Sequence, residues 1–447
     1  MIFTLDSSLL KLLKIYNFVK NRNELIDLAK NVEETQESII DSEEKSRLLM
    51  LDNQIQFEFS KLLSSVTIEK PLVISKTKPI RIYMDGVFDI IHSGHFNAIR
   101  QSKKLGDILV VGVNSDFEVE KVKGPTLMNQ IERAALVREC KWADEVVEDT
   151  PYTPTIELLD QLNCDYCSHG DDMPLNENGD DAYAKMKIAG RMRVFKRTEG
   201  ISTTDIIGKL LSVAKDNRKR SYSKEMISAS DLANEMKNLN ADQLNEFQIG
   251  PVVSNFLTTS WRLVEFSNNK APKKGDKVVY IDGAFDILHI GHIETLKAAK
   301  ALGNFLYVGI HDDNTVSTHR GKNYPIMNLQ ERVLNILSLR CVDDVIIGAP
   351  WMISEDMVKS LRLDVIVEGT QKKSDEYENI NKTFSEDPYA VSKKLGIYVQ
   401  IQSKFDLTNE VLVRRILENR NHYIKKYTNK KAKEDDYYQQ KQFVEEC

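Results

Sequence analysis

The 447-residue sequence predicts an α/β protein built from two tandem, doubly wound (Rossmann-like) domains with parallel sheets, behind a helical N-terminal extension. Three observations predict it. The chain is about three times the usual domain length, so a single core cannot cover it. A long segment occurs twice. Within each copy, short continuous apolar runs alternate with amphipathic helical patterns, as expected of strands covered by helices on both faces.

The repeat defines the domains. The run from Arg81 through Tyr83, Asp85, Gly86, Phe88 and Asp89 to His92-Ser93-Gly94-His95 returns as Val278 through Tyr280, Asp282, Gly283, Phe285 and Asp286 to His289-Ile290-Gly291-His292, 197 positions later. Met128-Asn129 with Glu132-Arg133 matches Met327-Asn328 with Glu331-Arg332, and Asp144 to Val147 matches Asp343 to Ile346, both 199 apart, so two residues are inserted between these landmarks. A period this long is a duplicated domain rather than a solenoid. The expected organisation is a helical extension at 1–78, a first domain at 79–215, a polar linker at 216–275, a second domain at 276–420 and a charged tail at 421–447.

In the first copy, Ile82 to Met84 is the first strand. A turn and a helix from about His95, with Phe96 and Ile99 on one face, lead to the strand Ile108 to Val113. Val146-Val147, a helix through Ile156, Leu159 and Leu162, the short strand Tyr166 to Ser168, and a helix carrying Ile206, Ile207, Leu210 and Leu211 follow. Lys425-Lys426 and Lys430-Lys431 read as a solvated surface, with weak contact to an anionic membrane surface as the secondary reading.

Composition excludes several classes. Lys plus Arg (61) against Asp plus Glu (67) gives a net charge of −6, so nothing argues for nucleic acid as the main ligand, and any anion site must be local. Five cysteines in a long chain argue against a disulfide framework. Cys164 and Cys167 form a lone CxxC, read as thiols beside a buried strand, with metal binding the minor alternative. No stretch is long and apolar enough to span a bilayer, and Asp6, Lys11 and Lys14 interrupt any signal-peptide core, so the cytoplasm is the expected compartment.

Anion chemistry concentrates at two motifs. His92 and His95, three apart at a strand-to-helix turn, place two imidazoles beside the free amides of a helix start, and Gly94 admits close approach by phosphate. A metal pair or two core histidines are the alternatives, but a zinc pair wants other spacing and a third ligand, and a core role does not account for the motif's recurrence. Arg197 with Gly200, Ser202, Thr203 and Thr204 before the last helix exceeds what capping requires and forms a second phosphate site. Lys123, in a loop with Gly124 and Pro125, offers a mobile cation, with simple solvation as its competing account.

The Tyr83 to Asp89 stretch running into the histidine motif, the Glu132-Arg133 pair, and Arg197 to Asp205 together resemble the cytidylyltransferase family, whose histidine signature is shared with class I aminoacyl-tRNA synthetases. The tandem arrangement resembles its ethanolamine-phosphate members across residues 79–420. The resemblance implies nucleotidyltransferase domains, CTP and phosphoethanolamine as substrates, Mg²⁺ carried on CTP with no metal on protein side chains, and a role in phospholipid synthesis. It further implies peripheral contact with the endoplasmic reticulum membrane and a pseudo-dimer of the two copies, with oligomers possible in addition. By its pattern His92, His95, Lys123 and Arg197 are catalytic, Gly86, Val87, Phe88, Asp171, Ser202, Thr203 and Thr204 line the nucleotide pocket, and His169 to Asp172 lies at the ligand-binding edge.

Specificity turns on the ammonium. A quaternary ammonium needs an aromatic cage, whereas a primary one takes carboxylates and hydroxyls. Leu175 stands where similar choline enzymes carry a tyrosine, leaving Trp142, Tyr183 and Asp172 as candidate ammonium contacts and a preference for ethanolamine over choline. The second copy keeps Ala284, Phe285, His289, His292 and Thr408 as a nucleotide-shaped pocket. There Arg320 replaces Lys123, Glu368-Gly369-Thr370 replaces His169-Gly170-Asp171, Gln402 takes the place of Arg197, and Cys341 that of Trp142, so turnover is expected in the first copy. A synthetase-like enzyme, suggested by the literal His289-Ile290-Gly291-His292, lacks a lysine-serine signature downstream. A non-catalytic nucleotide-binding scaffold would require damage to the first copy as well.

Overall fold

The structure is a computed structural model that describes residues 78–172, 174, 179–224, 258–321, 323–370, 387–405 and 407–428. The helical extension, Leu175, most of the linker and Lys430-Lys431 lie outside the described residues.

The first copy is a five-stranded parallel sheet. Its strands are β1 (Arg81–Gly86), β2 (Ile108–Asn114), β3 (Glu145–Thr150), β4 (Tyr166–Gly170) and β5 (Met192–Phe195), in the order β3-β2-β1-β4-β5. Between them run α1 (Ser93–Lys104), α2 (Asp116–Lys123), α3 (Gln130–Glu139), α4 (Ile156–Gln161) and α5 (Ala184–Ile188), and α6 (Thr203–Lys224) follows. α7 (Ser260–Phe266) leads into the second copy. Its strands β6 (Val278–Gly283), β7 (Phe305–Ile310), β8 (Asp344–Ile347), β9 (Val365–Thr370) and β10 (Tyr398–Gln402) repeat the order as β8-β7-β6-β9-β10, all parallel. The matching helices are α8 (Ile290–Lys300), α9 (Asp313–Arg320), α10 (Leu329–Leu337), α11 (Glu355–Leu361), α12 (Ala390–Lys394) and α13 (Asn409–Glu418), followed by further helical residues, 420–428.

Chain order reverses between β1 and β4, and between β6 and β9. In such folds the carboxyl ends of the strands flanking this point form the ligand crevice. The central strands are buried, with Ile82 and Tyr83 of β1 and Leu109 to Val111 of β2 fully covered. Gly112 interrupts β2 for a steric reason: a Cβ there would overlap the Tyr83 hydroxyl on the neighbouring strand, and Gly309 faces Tyr280 in the same way.

The two copies share one core, in which Leu136 and Val137 of α3 join Leu334 and Leu337 of α10. Their contact is reciprocal. Lys141 N–H donates to Ser338 O and Arg340 N–H to Glu139 O, each at 2.9 Å, around an antiparallel bridge between Cys140 and Leu339. The same relation recurs at the sheet tips, where Lys209 Nζ reaches Ile326 O at 2.9 Å and Arg415 Nη1 reaches Leu127 O at 2.9 Å. The two copies therefore pack against each other within the chain through equivalent segments.

Part of the stretch read as polar linker is anchored. Phe266 is fully buried and meets the Trp142 ring edge-on at 5.0 Å, while Glu265 pairs with Arg100 at 2.8 Å. This corrects the expectation for Trp142. It precedes β3, at the edge of the sheet opposite the crevice, where packing against α7 occupies its ring.

Candidate active site

The site starts from a strained turn. After β1, Phe88 and Ile90 adopt left-handed backbone (φ 53° and 49°), a costly state for a β-branched residue in particular. Gly86 makes room for it, since a Cβ there would come within 2.9 Å of the Phe88 ring. Two buried groups hold the turn. The Asp89 carboxylate accepts the Leu127 and Met128 N–H groups at 2.9 Å each, and burial raises its pKa. Arg133, wholly buried, donates to Val87 O (2.5 Å), Asn114 O (2.8 Å), Met128 O (3.2 Å) and Asp116 (2.7 Å), thereby tying β1, β2, α2 and α3 together. Neither was assigned a function from sequence, although the repetition of both in the second copy was the available signal.

This turn aims the histidines. His92 caps α1, with Nδ1 accepting the Gly94 N–H at 3.2 Å, which leaves the neutral ring's proton on Nε2, 3.4 Å from Thr203 Oγ1. The His95 ring lies 4.0 Å from that of His92, and its other side meets Phe88 edge-on at 5.7 Å. A Cβ at Gly94 would press on the His92 ring and Ile201 at 3.0 Å, so only glycine keeps the helix start this close to α6.

The hydroxyl cluster divides its work. Ser202 caps α6, accepting from Asp205 N (3.2 Å) and donating to its carboxylate (3.0 Å). Thr203 faces His92, and Thr204 is buried. Arg197 follows β5. Its backbone N–H donates to Asp171 at 2.9 Å, and its guanidinium stands 3.3 Å from Asp172. The structure thus brings His92, His95, Arg197, Thr203 and the Gly86 to Phe88 turn to one sheet edge.

Four expectations change. Asp171 fastens the ends of β4 and β5 through the Arg197 amide, so one of its oxygens is committed to the fold. Asp172 pairs with Arg197 rather than standing ready for an ammonium. Tyr183 is buried, its hydroxyl donating to Asp85 at 2.8 Å, and it cannot wall a solvent-facing cage. Asp85, also missed from sequence, is held in turn by Asn114 Nδ2 at 3.3 Å, and burial raises its pKa. Lys123 is the last residue of α2 rather than part of a mobile loop, with Gly124 ending the helix at φ 74° and the ammonium 5.0 Å from the Tyr152 ring centre.

In the second copy the frame and the histidine pair are repeated. Phe285 and Ile287 are left-handed (φ 47° and 50°). Asp286 accepts from Ile326 and Met327 N–H groups at 2.7 and 2.9 Å, and Arg332 donates to Ala284 O at 2.7 Å. His289 and His292 stack at 3.8 Å. Burial, with Arg320 adding repulsion, pushes the pKa of His289 down to about 3, and burial also lowers that of His292, helped by its neighbour His289. Both are neutral at pH 7. Thr408 caps α13, accepting from Val411 N at 3.3 Å, which places it opposite Ser202.

The sheet register also corrects one correspondence. Tyr83 pairs with Cys167 as Tyr280 pairs with Ile366, Cys167 pairs with Met192 as Ile366 pairs with Tyr398, and Ser403 therefore occupies the place of Arg197, one residue beyond Gln402. The Ser403 N–H donates to Thr370 O at 2.9 Å where that of Arg197 meets Asp171. Asn409 and Glu410 then stand in place of Thr203 and Thr204.

The basic run at 425–426 is divided. Lys425 is exposed, while Lys426 is partly covered and lies among residues of the first copy, contrary to the expectation of a uniformly solvated stretch. Among the described residues no helix is long and apolar enough to cross a membrane.

The cytidylyltransferase-like family profile matches residues 83–209 and 280–430. An ethanolamine-phosphate cytidylyltransferase of Dictyostelium discoideum is 46% identical over 363 residues, 81% of this chain and 98% of the relative. One of Arabidopsis thaliana is 45% identical over 379 residues, 83% of this chain and 88% of the relative. A choline-phosphate cytidylyltransferase A of Rattus norvegicus is 39% identical over 186 residues only, 40% of this chain and 50% of the relative.

Proposed function

This chain belongs to the cytidylyltransferase-like family, and from the relatives that match across both copies we infer that it transfers the cytidylyl group of CTP to phosphoethanolamine, giving CDP-ethanolamine and pyrophosphate. The observation that carries the substrate is coverage: the ethanolamine-phosphate relatives align across the tandem, whereas the choline-phosphate relative aligns across 186 residues.

In this reading a phosphate oxygen of phosphoethanolamine attacks the α-phosphorus of CTP. The new P–O bond forms as the bond to the β-phosphate breaks, and the electron pair leaves with pyrophosphate. No protein nucleophile is required, so catalysis consists of positioning two polyanions and neutralising the charge that develops. The His92 Nε2–H donates toward the transferring phosphate while its Nδ1 stays tied to the α1 amide, so the ring does not reorient during reaction. His95 stacks behind it, and the amides of the α1 start add a fixed positive field. Arg197 exchanges part of its contact with Asp172 for a phosphate oxygen, and Lys123 approaches from the end of α2. Mg²⁺ would come with the triphosphate as part of the substrate and would supply further charge neutralisation.

Turnover resides in the first copy, because the second has lost the Arg197 guanidinium to Ser403 and gained carboxylates at Glu368 and Glu410. With Trp142 at the opposite edge and Tyr183 bound to Asp85, the proposed aromatic pair does not form a cage for a quaternary ammonium. The test is product analysis with purified protein, CTP and Mg²⁺. CDP-ethanolamine should form at least about tenfold faster than CDP-choline at equal phospho-alcohol, a margin of about 1.4 kcal/mol. Equal or faster turnover of phosphocholine sinks the assignment.

A further inference from the structure

The helical residues 420–428 follow the second sheet in sequence and lie on the first copy in space. Two glycines of the first copy make room for them. A Cβ at Gly124, directly after Lys123, would overlap the His422 ring, and one at Gly208 in α6 would stand 2.6 Å from the Tyr427 ring. Tyr423 is buried, and its hydroxyl reaches Pro125 O at 3.5 Å. Just upstream, Arg415 binds both carboxylate oxygens of Glu132 at 2.7 and 2.9 Å. The second copy thus holds the loop whose Leu127 and Met128 amides carry Asp89.

His422 and Tyr423 lie four and three residues before Lys426, so all three border one helix face. His422 and Tyr423 meet Gly124 and Pro125, so that face looks onto the end of α2. Lys426 Nζ lies 5.8 Å from the Tyr423 ring centre, and its charge is felt by Asp89 and Lys123 of the first copy. Burial lowers its pKa while Asp89 opposes the shift. Asp89 already accepts two amide hydrogens, so the Lys426 ammonium, which also feels the positive charge of Lys123, faces a carboxylate that is already committed. Such an excess of positive charge next to a helix-start anion cradle is complementary to a polyanion.

We propose that Lys426 is a phosphate-binding residue of the first copy's site, contributed by the second copy, so that the catalytic centre is built from both. This rests on the cytidylyl-transfer reading for its ligand, the triphosphate or the departing pyrophosphate. It also gives the degenerate copy a reason to be retained: its last helix completes the other copy's site.

The experiment measures pyrophosphate binding by calorimetry on the full chain, together with KM for CTP and for phosphoethanolamine. Lys426→Met should weaken pyrophosphate binding and raise the KM for CTP by about tenfold or more, with the KM for phosphoethanolamine little changed. Lys426→Arg should recover most of the loss, and Lys425→Met on the exposed neighbour should match the parent. A purely structural role predicts the opposite for the charge-retaining variant, since arginine is no easier than methionine to pack in lysine's place. Parental pyrophosphate binding in Lys426→Met, or Lys426→Arg no tighter than Lys426→Met, overturns the proposal. Pyrophosphate binding is read without turnover, so a failure to make CDP-ethanolamine counts against the reaction and leaves this measurement able to judge Lys426.

Discussion

The two copies share a frame and differ at its rim. Left-handed Phe88 and Ile90 answer to Phe285 and Ile287, Asp89 to Asp286, Arg133 to Arg332, and Tyr183 on Asp85 to Tyr389 on Asp282 at 2.7 Å. The polar groups among these are hydrogen-bonded and, apart from the partly covered Asp282 and Tyr389, buried, so removing any one would leave a partner unsatisfied. The residues that differ at the crevice, Lys123 and Arg320, His169 and Glu368, Arg197 and Ser403, are at least partly exposed, and water can solvate whatever is substituted there. Change at these rim positions therefore costs the second copy little stability, whereas loss of the frame would disturb the reciprocal interface between the copies.

The sharpest way to break this comparison is to delete equivalent histidines. His92→Ala should lower CDP-ethanolamine formation by at least about a hundredfold, in the range of removing one preorganised donor from a charged transition state. His289→Ala should stay within about threefold of the parent. The reverse result would assign turnover to the second copy. A smaller and more specific effect comes from writing the second copy's residue into the first. Arg197→Ser should reduce kcat/KM for CTP by about ten- to a hundredfold, the loss of a charge-assisted contact. The reciprocal Ser403→Arg should leave steady-state turnover unchanged, since Glu368 and Glu410 remain; a rate gain there would mean that Arg197 alone separates the copies.

What was legible in sequence follows from the physics of each feature. The repeat, the parallel strands and the histidine turn are local patterns, and they appear where expected. Arg133 and Asp89 were visible as repeated residues, but their roles depend on carbonyl and amide groups brought close only by the fold. Asp85 and Tyr183 are 98 positions apart, and nothing local links them. Trp142 was placed by residue type, yet a tryptophan before a strand lies at the opposite edge from the loops after it. The one-residue error at Gln402 arose because insertions separate the copies there, and sheet register, which sequence does not display, resolves it. Lys426 looked solvated because its neighbours in sequence are charged, while its neighbours in space belong to the other copy.

The smallest predicted effect concerns the second copy's histidines themselves. If that pair now serves as buried packing, it must stay neutral, and its depressed pKa then becomes a stability term. His289 falls from an ordinary 6.5 to about 3 on folding, so the unfolded chain binds the proton first as pH is lowered. Its contribution is fully present above about pH 7.5 and is lost progressively toward pH 3. Between pH 7.5 and 5.5 the loss is about 1 kcal/mol from His289, with His292 shifting in the same direction and titrating as part of a coupled pair. In a domain of this size that corresponds to a fall in Tm of about 2–4 °C. His289→Gln removes its share, because glutamine does not titrate, so the variant should start with a lower Tm and lose less of it over the same interval. Parallel Tm-against-pH curves for parent and variant would show that His289 is as readily protonated in the folded protein as in the unfolded chain, and the second pocket would then have to be regarded as open to solvent and to anions.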